Sequence, residues 1–248
     1  MATLAAHPAN AAKLAKDLPG RRYDHLFFSS MALLMLVTVF VGFARTYFLA
    51  GVFRAPLPAL IIHLHGAAFS CWILLLVAQT SLVSAGRVDI HKRLGIAGFL
   101  LACLMVILGV LAATNALVRQ AGPQGMDAKF FYIIPITDML IFATLVFFAF
   151  RARSNPPEHK RLIYVATTAL LIAALARWPM MKGPAQAALW SYTFLLILVA
   201  YDLWSTRKVY RVTIWASAFL IFVQQIRIPI GETAAWHAFA TWAQTLGR

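Results

Sequence analysis

Seven long apolar runs, separated by short polar stretches, make up most of this chain: 26–50, 58–84, 91–118, 130–150, 159–179, 184–204 and 211–229. A helix needs about 20 predominantly apolar residues to cross the hydrocarbon core of a bilayer, so each run predicts one transmembrane helix. The connections are short, which predicts antiparallel neighbours in a single bundle. The pattern changes after Gln225. Pro229 and Gly231 should break the last span, Thr233 can cap a further helix, and Trp236, Phe239, Trp242 and Leu246 line one side of it. Such a helix is expected to lie in the headgroup layer as an anchor, with a lid over the bundle as the sharper alternative. The expected architecture is all-α: a cytoplasmic tail over 1–25, a seven-helix transmembrane domain over 26–229 and an interfacial amphipathic helix over 230–248.

The polar turns between runs repeat. Ile90-His91-Lys92-Arg93-Leu94-Gly95 opens the third helix and Glu158-His159-Lys160-Arg161-Leu162-Ile163 opens the fifth, with Lys208-Val209-Tyr210-Arg211-Val212 in the same place on the seventh. This predicts a lead helix followed by three helical hairpins in a parallel repeat, a layout that often places sites at the repeat interface. Asn155-Pro156-Pro157-Glu158 reads as an N-cap, an N1 proline and an acidic first turn, and Asp89 can cap the third helix likewise. Gly95, Gly98, Ala102, Gly109 and Ala113 form a small-residue stripe on the third helix, and Ala166, Ala169, Ala173 and Ala176 form one on the fifth. Close backbone approach along such faces predicts that these two helices form the centre of the bundle.

Composition agrees with lipid as the solvent. Of 248 residues 62% are hydrophobic and only 12% charged, with a mean hydropathy of +0.77, where a soluble domain carries roughly a quarter charged residues. The net charge of +14 does not point to nucleic acid, because the basic residues lie between apolar runs, where they meet lipid headgroups. Fourteen of the 22 Lys and Arg residues fall in the N-terminal tail and the second, fourth and sixth connections. The positive-inside rule then puts the N-terminus in the cytoplasm and the C-terminus outside. The first 25 residues hold no apolar core of a cleavable signal. Cys71 and Cys103 fall inside spans and are expected to be core residues rather than a disulfide.

Polar side chains inside the membrane are costly, so each is a candidate functional group. Near the outer face lie Arg45, His63, His65, Asn115, Asp138, Arg177, Gln224, Gln225 and Arg227; near the inner face lie Gln79, His91, His159 and Asp202. His65 and Asp138 share a depth of roughly 10–12 Å below the outer end, at 1.5 Å per residue. A carboxylate that deep needs a partner, and His65, Arg45 or Arg177 could serve. The candidate ligand-binding set is thus His65, Asp138, Arg45, Arg177, Asn115 and Gln224. His65 shares a stripe with Trp72 and Gln79, which favours it over His63 as the inward ring. The inner pair, His91 and His159, could hold a haem iron or a metal, or serve as interfacial residues; His63 is a further candidate for such a role. Phosphate-binding loops, zinc-protease helices and nucleophile elbows are absent, as is a lysine for a retinal Schiff base in the last span.

At His63-x-His65-Gly66, Gly86-Arg87, His91-Lys92-Arg93-Leu94-Gly95 and His159-Lys160-Arg161-Leu162, the chain resembles a group of uncharacterised bacterial multi-pass membrane proteins, over helices 2 to 5. The resemblance implies a fold and a place in the bacterial inner membrane, and no activity. The histidine count carries a fainter likeness to bis-histidine membrane cytochromes, which implies haem b. Three functions follow as expectations: a protein binding a small molecule or ion in the outer half of the bundle, in the manner of a transporter; a redox protein using haem or quinone; and a non-catalytic subunit or assembly factor of a membrane complex. The residues and the repeat favour the first.

Overall fold

The computed structural model describes residues 23–56, 58–123 and 125–247 and is all-helical there, with no strand among them. Helix α1 (Asp24–Phe43) winds on through a π-helical turn, Ala44–Phe48, to a one-turn helix, Ala50–Phe53. Then follow α2 (Leu60–Ser84), α3 (Val88–Val118), α4 (Ala128–Arg151), α5 (Pro156–Leu175), α6 (Pro184–Thr206), α7 (Arg211–Gly231) and α8 (Ala234–Leu246). The tail basic residues Lys13, Lys16, Arg21 and Arg22, and Arg248, lie outside the described residues.

Six helices are long and apolar enough to cross a membrane: Asp24–Phe48, Leu60–Ser84, Val88–Val118, Ala128–Arg151, Pro184–Thr206 and Arg211–Gly231. The chain is therefore a multi-pass membrane protein in contact with lipid. The expected seventh, α5, falls short because its first two turns are spent on Glu158, His159, Lys160 and Arg161. Its burial explains why that is tolerated: 12 of its 20 residues are buried. It packs against α1, α4, α6 and α7, so most of its surface meets protein rather than lipid. Its two ends are tied to α1 at separate levels. Lys160 Nζ binds Asp24 Oδ2 at 2.5 Å, and Trp178 Nε1, just past the helix end, donates to the Thr38 carbonyl at 3.3 Å. Helices α1 and α5 thus run parallel, and they touch backbone to backbone: a Cβ on Gly42 would lie 2.8 Å from Ala174 Cα.

The centre of the bundle differs from expectation. It is α5 alone. Helix α3 packs on α2 and α4, with Gly98 against Leu75 and Gly109 against Met139. Its small residues receive neighbouring side chains instead of a second central backbone. Cys71 and Cys103 are exposed on the bundle surface, not buried in its core. Hydrophobicity cannot separate the two places, because lipid and core reward the same side chains.

The helix starts are partly as read. Asn155 precedes α5 with Pro156 at its first position and Glu158 in its first turn, but the Asn155 side chain makes no capping bond. Helix α3 begins one residue before Asp89, so this carboxylate sits in the first turn and pairs with Arg87 at 3.6 Å instead of capping. Pro229 does not break α7, which runs on to Gly231. Thr233 caps α8 by accepting from the Trp236 N–H at 3.1 Å. Helix α8 then lies on α3, α4 and α7. Ala240 and Ala243 seal against Leu117 and Tyr132, Trp236 Nε1 donates to the Lys129 carbonyl at 2.8 Å, and Phe239, Trp242 and Leu246 remain exposed.

Candidate functional site

His91 and His159 are each the fourth residue of their helix, and their backbone N–H groups bond the carbonyls of Arg87 and Asn155, at 3.1 and 2.9 Å. The two starts lie side by side and bring the imidazoles face to edge, with centroids 6.3 Å apart and planes at 83°. His159 Nδ1 meets the Ala149 carbonyl of α4 at 2.9 Å. A carbonyl only accepts, so Nδ1 carries a proton and Nε2 is left for another partner. The His91 ring reaches the Gln79 carbonyl of α2, while its Nδ1 is buried with no partner, as is Gln79 Oε1. Each ring is thus tethered to a carbonyl of the preceding helix, with its other nitrogen left over. Metal-ligating histidines are held in this way, the far N–H fixing ring and tautomer.

Separation fits such a role. Two imidazoles on opposite sides of one metal ion, each bonded at about 2 Å, bring their centroids to about 6 Å. Among the described residues no three His, Cys, Asp or Glu side chains gather to hold a metal, so an all-protein tetrahedral site is not assembled from these. Two rings alone would hold only a group that brings its remaining ligands with it. Gly95, one turn after His91, leaves room for the Gln79 amide, whose Nε2 would lie 3.6 Å from a Cβ at that position.

Beside the pair lies an ion-pair network that the sequence did not reveal. Arg161 and Asp202 are buried, at 2% and 0% side-chain exposure, and bonded to each other. Arg161 Nε donates to Asp202 Oδ1 at 2.9 Å and its Nη1 to the Pro157 carbonyl at 2.9 Å. Asp202 Oδ2 accepts from the Tyr210 N–H at 3.2 Å and from Thr213 Oγ1 at 2.6 Å. The carboxylate therefore holds the N-terminus of α7, where the helix dipole favours negative charge. Tyr201 donates to Asp24 at 2.6 Å, which extends the network to α1. The available signal was the low apolarity of α5 itself, since a polar helix inside a bundle needs partners.

At the opposite end Asp138 is buried and paired, though not with His65, Arg45 or Arg177. Its partner is Arg227 of α7, whose Nη1 donates at 2.7 Å. The two helices run antiparallel, and residues near the end of α7 meet residues near the start of α4; the shared depth was legible but the pairing of faces was not. One helical turn before Arg227, Gln224 is buried with neither amide atom bonded. His65 lies against Phe69, with centroids 4.1 Å apart, and reaches the Leu108 carbonyl near the charge of Arg177. Its Nδ1 is buried without a partner. His63 sits beside Tyr47, whose hydroxyl donates to the His63 carbonyl at 3.2 Å. Gly66 seats that tyrosine, because a Cβ there would meet its ring at 2.8 Å. Arg45 covers the Phe53 ring at 5.4 Å, Arg177 covers Phe43 at 4.5 Å, and Asn115 accepts from Arg119 at 2.9 Å. Of the six expected ligand-binding residues, His65 lies near Arg177 and Gln224 lies one turn from the Arg227 that pairs with Asp138, while Arg45 and Asn115 make contacts of their own. No family model, curated protein or solved structure matches the chain.

Proposed function

We propose that this is a redox protein of the bacterial inner membrane, with seven spans and a cytoplasmic N-terminus, in which His91 and His159 would hold a metal centre, haem b iron foremost, that would carry one electron. One observation carries the reading: two adjacent imidazoles 6.3 Å apart, His159 with Nδ1 on the Ala149 carbonyl and His91 beside the Gln79 carbonyl with its Nδ1 buried and unpartnered. Two ring nitrogens left without protein partners on neighbouring imidazoles would suit an electrophile held by both rings. A metal ion satisfies both, and iron so ligated carries one electron. His91 Nδ1 and His159 Nε2 would be the ligating atoms, and the Ala149 and Gln79 carbonyls would orient the rings.

The absorption spectrum and metal content of the purified protein test this. A Soret band that disappears in both His91→Ala and His159→Ala supports haem ligation. Stoichiometric metal without a Soret band, lost in the same variants, restricts the centre to a bare ion. Neither band nor metal, or a band indifferent to both substitutions, overturns the proposal; co-purified quinone in that case favours a hydroquinone hydroxyl as the donor to His91.

A second reading rests on Gln224. A buried amide with both atoms unbonded costs about 1–3 kcal/mol per atom, which a small polar molecule or ion beside Asp138 and Arg227 would offset. Asp138→Asn should then abolish binding of that species while the protein still folds. If the variant simply unfolds, and Asp138→Asn with Arg227→Gln restores folding, the pair is a structural tie between α4 and α7 and the chain reads better as a subunit of a larger membrane complex.

A further inference from the structure

A cavity of about 300 Å³ opens where α4 ends and α5 and α7 begin, on the same end of the bundle as His91 and His159. Its walls carry Arg151 from α4, Glu158 from α5, and the aromatic rings of Phe148 and Trp215 from α4 and α7. Leu162 and Val212 are buried and form its floor. Arg151 and Glu158 have opposite charges and share the cavity, yet neither side chain makes an ion pair or hydrogen bond with any described residue. Elsewhere at this end the buried and half-buried charges are paired, Lys160 with Asp24 and Arg161 with Asp202.

We infer that this cavity binds the headgroup of a zwitterionic phospholipid with a primary ammonium, of the phosphatidylethanolamine type. Depth argues for lipid. The last turn of one span and the first turns of two neighbours lie at the headgroup layer, where tryptophan concentrates. Phe148 and Trp215 meet edge to face at 5.5 Å and are 44% and 39% exposed, so the cavity wall continues into the lipid-facing surface and an acyl chain can follow it. Charge argues for the headgroup. A guanidinium matches a phosphate through paired N–H donors, and Glu158 accepts from the ammonium two carbons away. An anionic headgroup would leave Glu158 facing a like charge. A quaternary ammonium offers no N–H to the carboxylate and is better served by a cage of several aromatic faces.

Lipid retention measured by native mass spectrometry tests the inference, with phosphatidylethanolamine, phosphatidylglycerol and phosphatidylcholine of identical chains. The ethanolamine lipid should be retained several-fold more than either of the others. Glu158→Gln should abolish the preference over phosphatidylglycerol, Arg151→Gln should weaken retention of all three, and Arg153→Gln, outside the cavity, should change nothing. Equal or stronger retention of phosphatidylglycerol by the unaltered protein overturns the inference, as does an ethanolamine preference that survives Glu158→Gln. Free phosphoethanolamine displacing the lipid at similar concentration would make this a site for a soluble zwitterion and overturn the lipid assignment. Secondary structure by circular dichroism confirms that each variant is folded, which exposed positions permit.

Discussion

His-Lys-Arg-Leu occurs twice in this chain, and the two arginines meet opposite fates. Arg93 is exposed at the start of α3, whereas Arg161 is buried at the start of α5. The difference lies in the neighbours: α3 is at the edge of the bundle and α5 at its centre. Buried, the Arg161 guanidinium lies 3.7 Å from the Tyr210 ring centroid and is neutralised by Asp202. Removing one member of such a pair leaves the other charge buried and uncompensated, at a cost of about 3–5 kcal/mol. Asp202→Asn should therefore lower the thermal unfolding midpoint in detergent sharply. Arg161→Met combined with Asp202→Leu should recover part of the loss, since a well-packed apolar pair needs no desolvation. Arg93→Met should stay within about 0.5 kcal/mol of the unaltered protein. A harmless Asp202→Asn would mean that water reaches the pair.

At the scale of elements, α5 is the helix whose polar start is reconciled with its central position by its neighbours. It is 20 residues long, about 30 Å at 1.5 Å per residue, the thickness of a hydrocarbon core. Lipid sets no apolar requirement on a surface it never touches, so protein neighbours allow four polar residues in its first two turns. The proposed seventh span, α5, has a direct consequence for topology. Reporters fused after Arg153 and after Lys182 should lie on opposite sides of the membrane, the first in the cytoplasm with one fused after Arg87, and one after Gly125 outside. Arg153 and Lys182 on the same side would make α5 a re-entrant helix and reduce the spans to six. The basic residues support this orientation even after correction for burial: removing Arg161 from the fourteen on one side and Arg227 from the eight on the other leaves thirteen against seven.

For the whole molecule, apolar residues cover the outside as well as fill the inside. Leu100, Ile107, Leu196 and Phe222 are more than half exposed while Met35, Met105 and Phe142 are sealed, and nothing in their chemistry distinguishes the two groups. That is why the all-α class and the places of six long apolar helices were legible in the sequence: the requirement of about 20 apolar residues acts on each segment alone. The C-terminal helix and its Thr233 cap were legible for the same local reason. Partnership was not. Asp138 announced that it needed a counter-charge, because a lone buried carboxylate is too costly, but the choice of Arg227 over Arg45 or Arg177 depended on which face of α7 meets α4. The equivalence of His91 and His159 was written in their shared motif; their rings' separation and their carbonyl tethers arise only when α2, α3, α4 and α5 pack together. Sequence by itself determined which segments leave water and which polar groups must find partners, since transfer free energies belong to single residues and short windows. Tertiary structure alone decided which helix is central, which charges neutralise each other and which nitrogens remain free, since these depend on rotation of helices about their own axes, to which hydrophobicity in a bilayer is nearly indifferent.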